Sequence, residues 1–313
     1  MPPAPVELPA DAPVFLLGIG AQKAGTTWLA HYLRGHPQCA LGPVKEYHMF
    51  AGRYRPESFP KERLNRLRKL QALLAAQESD LAAGHEDAVG ARVPKLLQTL
   101  DLVAMDQDPS RYLPHFDALR AARPGARLVA DISPNYCTLS AAHLGEIRQM
   151  LLSGGYRVRV VFLLRDPIER CFSMLSMGMR NARKQGWEPA TPPHVDFAAK
   201  AVKPWAEVRT RYELMLPEIT RAFPPDELFI DLYERFFSPE RVRALTDFLD
   251  LAPHPPNLSH RPNAAPREDA PTAGDIATLR RHYAPAYDAC RAFFGREIID
   301  SLWPHAVLPS EAD

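Results

Sequence analysis

The sequence predicts a three-layer α/β fold, a central parallel sheet flanked by helices, from three observations. Val14–Leu29, VFLLGIGAQKAGTTWL, is an apolar run that breaks into a glycine-framed loop and then an apolar helix start. Val158–Leu164, VRVVFLL, is a second continuous apolar, β-branched run, the pattern of a strand buried on both faces. Strand–loop–helix order then recurs as far as Tyr233, which calls for one parallel sheet covered by helices on both sides. With 313 residues, 46% of them hydrophobic, the chain can bury a sizeable core. It is expected to form a single domain over 1–313, with 1–12 a flexible Pro-rich tail and approximately 60–125 a helical insert.

The first element is a phosphate cradle. A strand from Val14 delivers Gly20 and Gly25 to positions where backbone N–H groups can face an anion. Thr26 and Thr27 then open a helix whose positive end faces the same point. A Walker A loop carries lysine directly after its second glycine, followed by a hydroxyl that holds magnesium. Here Thr26 takes the lysine position and Lys23 lies inside the loop. A dinucleotide GxGxxG fingerprint begins at Gly18 and Gly20 and fails at Lys23. The loop is therefore P-loop-like without matching either standard.

The remaining elements follow in order. Pro43–Phe50, PVKEYHMF, holds two candidate bases, Glu46 and His48. Periodicity and charge predict a helix over Glu62–Ala83, followed by an irregular Gly84–Pro109, together forming a helical cover. Leu128–Leu139, LVADISPNYCTL, is a strand and loop in which Asp131 is a turn cap, an additional acid/base or an acceptor-orienting residue. Arg165 stands at the end of the Val158–Leu164 strand, where its planar fork suits paired phosphate oxygens, and Pro167 favours a helix start. Ser173 lies about two turns along that helix. Asn181–Lys203 is polar and loop-like, a candidate lid over an acceptor pocket. Tyr212–Tyr233 gives an amphipathic helix, a Phe-Pro-Pro turn and a strand. Arg241–Leu249 gives a further helix, and Arg280–Trp303 a closing amphipathic helix with a buried aromatic end.

These motifs carry a family resemblance. Gln22–Leu29, QKAGTTWL, resembles the 5′-phosphosulfate loop of sulfotransferases that use 3′-phosphoadenosine 5′-phosphosulfate (PAPS). The resemblance implies that Lys23 reaches the bridging oxygen and sulfonate and that Thr26 and Thr27, with Ala24 and Gly25 in the same loop, bind the 5′-phosphate. It also implies that Trp28 stacks on adenine. RDPIERCFSMLS resembles the 3′-phosphate element of that family, which assigns Arg165 and Ser173 to the donor. PVKEYHMF resembles the Glu-x-His-Phe-Phe stretch of heparan-type glycan sulfotransferases, whose glutamate is the base, and Glu46 falls on it. The cytosolic phenol and steroid enzymes use a more distant histidine, and Thr26–Trp28 resembles their loop. Glu46 is the first candidate base and His48 the second, or the residue that orients it, with Lys45 keeping Glu46 ionised.

Two further segments bear on the acceptor and the donor. The glycan enzymes carry Lys-[ST]-Pro-x-Tyr where this chain keeps Ser133, Pro134 and Tyr136 but has Ile132 in place of the lysine. That loss of a cation counts against a highly anionic polysaccharide acceptor. Arg261–Arg267, RPNAAPR, resembles the Asn-x-[AS]-Pro-Arg loop of bacterial members, which implies that Arg267 closes on the 3′-phosphate. The implied reaction is metal-free, in-line sulfuryl transfer from PAPS to a hydroxyl or amine of a small-molecule, glycan or lipid acceptor, releasing 3′-phosphoadenosine 5′-phosphate (PAP). The alternatives are an ATP-dependent kinase on a related scaffold, against which Thr26 argues, and a non-catalytic nucleotide-binding protein.

A net charge of +1, from 38 basic and 37 acidic residues, gives no global field of the kind nucleic-acid binding needs. Cys39, Cys137, Cys171 and Cys290 lack metal-ligand spacing and are expected to be reduced, inert thiols. The Pro-rich start has no charged-then-apolar signal pattern and no stretch approaches a membrane span, so a cytoplasmic protein is expected. The acceptor and the oligomeric state stay open.

Overall fold

The computed structural model describes residues 8–59, 61–184, 186–187, 191–192, 194–259 and 270–307. Five parallel strands form one sheet: β1 (Val14–Gly20), β2 (Cys39–Ala40), β3 (Leu128–Asp131), β4 (Arg157–Leu164) and β5 (Leu228–Leu232), in the spatial order β2-β3-β1-β4-β5. Helices cover both faces, the three-layer α/β arrangement expected from the unbroken apolar runs. Every residue of β1 is buried, as is the last half of β4. β1 lies between β3 and β4, with Leu17 opposite Asp131 and Val160. Strand order reverses at β1, and in such sheets ligands bind beyond the carboxyl ends of the strands that flank the reversal. All the singled-out loops leave that edge: Lys45–His48 follows β2, Ser133–Tyr136 follows β3, Gln22–Gly25 follows β1, Arg165 follows β4 and Tyr233 follows β5.

Phe15 of β1 anchors an aromatic core, with ring centroids 4.7 Å from Phe116, 5.5 Å from Tyr156 and 5.8 Å from Tyr112. The Phe116 and Tyr156 contacts are edge-to-face, an arrangement that adds to the area term that dominates burial. All four cysteines are buried and unpaired, and burial pushes the Cys39 and Cys137 thiols up to about 12. Among the described residues no helix is long and apolar enough to cross a membrane.

Three segments differ from expectation. Gly84–Pro109 is not irregular: Glu86–Gln107 is a 22-residue helix, antiparallel to the 22-residue helix Lys61–Ala82. Gly90 and Pro94 obscure it, yet Leu96, Thr99, Leu102 and Met105 recur at helical spacing and are buried. Arg280–Trp303 is not one helix. It spans the end of Ala273–His282 and the helices Ala284–Phe294 and Arg296–Leu302, with Pro285 near the start of the second and Gly295 (φ 98°) ending it. Trp303 is nonetheless the buried aromatic end that was expected, at 1% exposure. Asn181–Lys203 begins inside the helix Pro167–Lys184 and contains the short helix Phe197–Ala201; 185, 188–190 and 193 lie outside the described residues.

Candidate active site

The glycine loop carries the backbone its sequence demands. Gly25, with φ 89°, is the left-handed cap of the helix Thr26–Gly35, and a Cβ there would come within 3.0 Å of Phe237 and 3.4 Å of Tyr233. Gly20 is equally hemmed in, since a Cβ would meet Cys137 Sγ at 2.9 Å and the Pro134 carbonyl at 3.0 Å. Lys23 adopts φ 73°. A non-glycine residue there costs about 1–2 kcal/mol, and the conformation turns the loop so that the Lys23 carbonyl accepts from Arg165 Nη1 at 3.2 Å. That bond ties the loop after β1 to the loop after β4.

Arg165 is fixed on three further sides. Its guanidinium stacks 4.6 Å from the Tyr233 ring centroid, its Nη2 lies 3.3 Å from Glu169, and its backbone carbonyl accepts from the Tyr212 hydroxyl at 2.9 Å. Asp166 beside it is fully buried and caps the helix Pro167–Lys184, accepting from the Ile168 and Glu169 amides at 2.9 and 3.1 Å. Tyr287 and the His305 amide also donate to it, each at 3.1 Å, so the C-terminal helices brace this loop.

The Pro167–Lys184 helix also presents Ser173, Met177 and Arg180, which share a face by their i, i+4, i+7 spacing. Lys23 Nζ reaches Met177 Sδ at 3.5 Å, and its ammonium is pushed down to about 8 by burial, then by the charges of Arg180, Arg165 and Lys45, while Glu46 pulls it up. The charges of Arg180, Arg165 and Lys45 thus all act on the Lys23 ammonium, a repulsion that an incoming anion would relieve. Arg180 is the member that motif spacing missed, although its helical phase with Ser173 points to it.

Lys45 links this cluster to the base candidates. Its Nζ donates to Thr26 Oγ1 at 3.3 Å and to Glu46 Oε1, while Glu46 Oε2 lies 2.9 Å from His48 Nε2. Burial alone would raise the Glu46 carboxyl; the His48 hydrogen bond and the Lys45 and His48 charges outweigh it and hold the group at about 2. His48, with φ 50°, is set by its own amide, which donates to Ser133 Oγ at 3.0 Å. Ser133 in turn donates to Asp131, which also accepts from Tyr112 and Tyr136 at 2.8 and 2.7 Å. Asp131 is fully buried among these hydroxyls, so it is a bracing carboxylate and not an additional acid/base. Ile132 is 1% exposed and packs onto Gly18, where a Cβ would come within 2.8 Å of it. A charged side chain has no room there.

Glu46 and His48 open on a cleft of about 420 Å³. Asn65, Arg66 and Lys69 from the first helix of the cover and Gln98 and Leu102 from the second line its far wall. Arg66 is already engaged by Asp106 and by the Tyr47 carbonyl.

The structure therefore gathers Lys23, Ala24, Gly25, Thr26, Thr27, Arg165, Glu46 and His48 around one edge of the sheet, with Ser173 half-buried on the adjacent helix. Trp28 lies inward of this edge. It is 3% exposed, stacked at 5.2 Å on Tyr32, with Phe236 and Phe237 edge-on and its Nε1 donating to the Asn257 carbonyl. In this conformation the indole belongs to the hydrophobic core beneath the cradle. Arg267 lies outside the described residues.

A parallel sheet in this strand order, with a glycine-framed loop leading from β1 into a helix, is a P-loop-like α/β fold. The profile described as Sulfotransferase family matches residues 13–255, and the chain belongs to that family. Among solved structures it is similar to a sulfotransferase from Alicyclobacillus acidocaldarius, with TM-score 0.56 and 17% identity over 91% of this chain and 96% of that one. It also matches the sulfotransferase domain from the curacin biosynthetic pathway (TM-score 0.42, 18% identity, 79% of this chain, 76% of that one). A third match is the sulfotransferase domain of the Synechococcus PCC 7002 olefin synthase (TM-score 0.41, 16% identity, 88% and 97%). No curated protein matches.

Proposed function

We propose that this sulfotransferase moves a sulfuryl group from PAPS to a hydroxyl or amine acceptor and releases PAP. The observation that carries the reading is the bond from Arg165 to the Lys23 carbonyl, because it unites the two loops that a 3′,5′-bisphosphorylated donor needs. The cradle suits such a donor: Gly25 leaves backbone amides open at a helix N-terminus, and Lys23, Lys45, Arg165 and Arg180 supply charge with no metal. Arg165 and Ser173 hold the 3′-phosphate; Thr26, Thr27 and the loop backbone hold the 5′-phosphate. Lys23 stands where charge grows on the departing phosphate, so its contribution is largest in the transition state.

Glu46 takes the acceptor proton as the new oxygen– or nitrogen–sulfur bond forms. At about 2 its carboxylate is ionised across the physiological range but weakly basic. Lys45 is shared between Glu46 and Thr26 of the cradle. An anion in the cradle draws Lys45 away, frees Oε1 and raises the basicity of Glu46 when the donor is present. His48 orients the carboxylate from the other oxygen. The acceptor occupies the cleft between Glu46 and the helical cover.

Labelled PAPS offered with a panel of sugar, phenol, lipid and amine acceptors tests the reading. Label transfer by the native protein, cut about 10²–10⁴-fold in Glu46→Gln with PAP affinity kept, is the expected result. Equal turnover in Glu46→Gln removes Glu46 as base. A kinase on this scaffold would need lysine at the Thr26 position and magnesium, and would turn over ATP instead.

A further inference from the structure

The helical cover has two faces. Its inner face lines the cleft through Asn65, Lys69, Gln98 and Leu102. At about 100° per residue, Leu64, Leu67, Leu74 and Leu81 fall within about a 100° arc on the opposite side of the helix Lys61–Ala82. Val93, Leu97 and Leu100 fall within about 60° on the side of Glu86–Gln107 opposite Gln98 and Leu102. The helices are antiparallel neighbours, with Gln77 donating to the Val89 carbonyl at 3.2 Å and Arg66 bonded to Asp106 at 2.5 Å. In that register both stripes emerge on the same outer surface. The seven side chains are between 41% and 61% exposed and include most of the large exposed hydrophobic residues among those described.

We propose that this outer face docks a second copy of the chain, two helices against two, about a two-fold axis perpendicular to the helices. Its charges are self-complementary only in that orientation. Arg63 and Arg68 flank the stripe at the base of the hairpin, whereas Glu78 and Glu86 lie on the same face near its tip. An axis that reverses the hairpin lays base on tip and brings Arg68 against Glu78 of the second copy.

The apolar side chains obey the same operator. An axis passing beside Leu73 sets Leu64 over Leu81 of the second copy. The register above then places Leu97 near its own counterpart and Val93 over Leu100 of the second copy. This is the isologous closure expected of a two-fold dimer. Half-exposed, the seven side chains offer roughly 600 Å², most of the ~800 Å² per partner of a standard interface. A lipid surface is the poorer occupant, because Glu78 and Glu86 sit within the face that would meet anionic headgroups. The cleft lies on the other side of the hairpin, so docking leaves the active site open.

Sedimentation velocity on the full chain across a wide concentration range tests this. The expected result is a dimer of the 35.1 kDa chain whose dissociation constant rises at least tenfold in Leu97→Glu and in the milder Leu97→Gln, with PAP affinity and thermal unfolding unchanged. Arg68→Glu and Glu78→Arg should each weaken the dimer, and the two together should restore it. A protein monomeric at every concentration overturns the proposal, as does a dimer indifferent to Leu97→Glu. Failure of the charge exchange to rescue overturns the two-fold orientation. Flotation of a monomeric protein with anionic phosphatidylserine vesicles would give the face to a membrane instead. Because PAP affinity is measured separately, failure here leaves the transferase reading untouched.

Discussion

Raising the pH should strip donor affinity through Lys23. In the free protein its ammonium is pushed down to about 8 by burial and by Arg180, Arg165 and Lys45. A bisphosphate in the cradle supplies counter-charge to all four cations and favours protonated Lys23, returning it toward its ordinary value of 10.5. The complex then binds more protons than the free protein between those limits, so affinity must fall as pH rises. Below about 8 Lys23 is charged in both states and affinity is flat; above it affinity declines by up to about tenfold per pH unit, and by at most about two and a half decades in all. Phosphate monoesters titrate near pH 6, so PAP itself keeps its charge through this window. Calorimetric titration with PAP at pH 7, 8, 9 and 10, in two buffers of different ionisation enthalpy, reads both affinity and proton uptake. Lys23→Met should bind PAP weakly with no break near 8. A native protein whose affinity is level from pH 7 to 10, without proton uptake, would refute the claim that these four cations converge on the donor.

Three more outcomes follow from the same geometry. Gly25→Ala forces a Cβ to within 3.0 Å of Phe237 at φ 89°; thermal unfolding should show a loss of about 1–3 kcal/mol, with PAP binding lost even where the fold persists. Asp131→Ala leaves three buried hydroxyls without their shared acceptor and should cost about 3 kcal/mol or more by chemical denaturation, whereas a purely catalytic Asp131 would leave stability untouched. Lys45→Ala removes a cation from Glu46, so the carboxyl should rise from about 2; carbon-13 NMR titration of the Glu46 carboxyl would show the rise, and an unmoved titration would disprove the link.

The strand core and the order of the loops were legible because parallel strands buried on both faces are written as continuous apolar runs, and β1 and β4 are such runs. The Glu46 and Lys45 pairing was legible from adjacency in sequence. Arg180 was not, because it follows Ser173 by helical phase and meets Lys23 only after β4 and β1 become neighbours. The packing around Trp28 was not legible either, because Phe236 and Phe237, which meet its ring along with Tyr32, come from the segment after β5. The helix Glu86–Gln107 was hidden by Pro94, a helix breaker that tertiary packing of Leu96, Leu102 and Met105 overrides.

Calorimetric titration of the protein with PAP, beside ATP with magnesium and repeated on Arg165→Ala, tells the two donors apart. The expected result is metal-independent PAP binding that collapses in the variant, because Arg165 ties down the Lys23 carbonyl and is the residue proposed to hold the 3′-phosphate. ATP–magnesium binding without PAP binding would contradict it and make the loop a divergent kinase cradle.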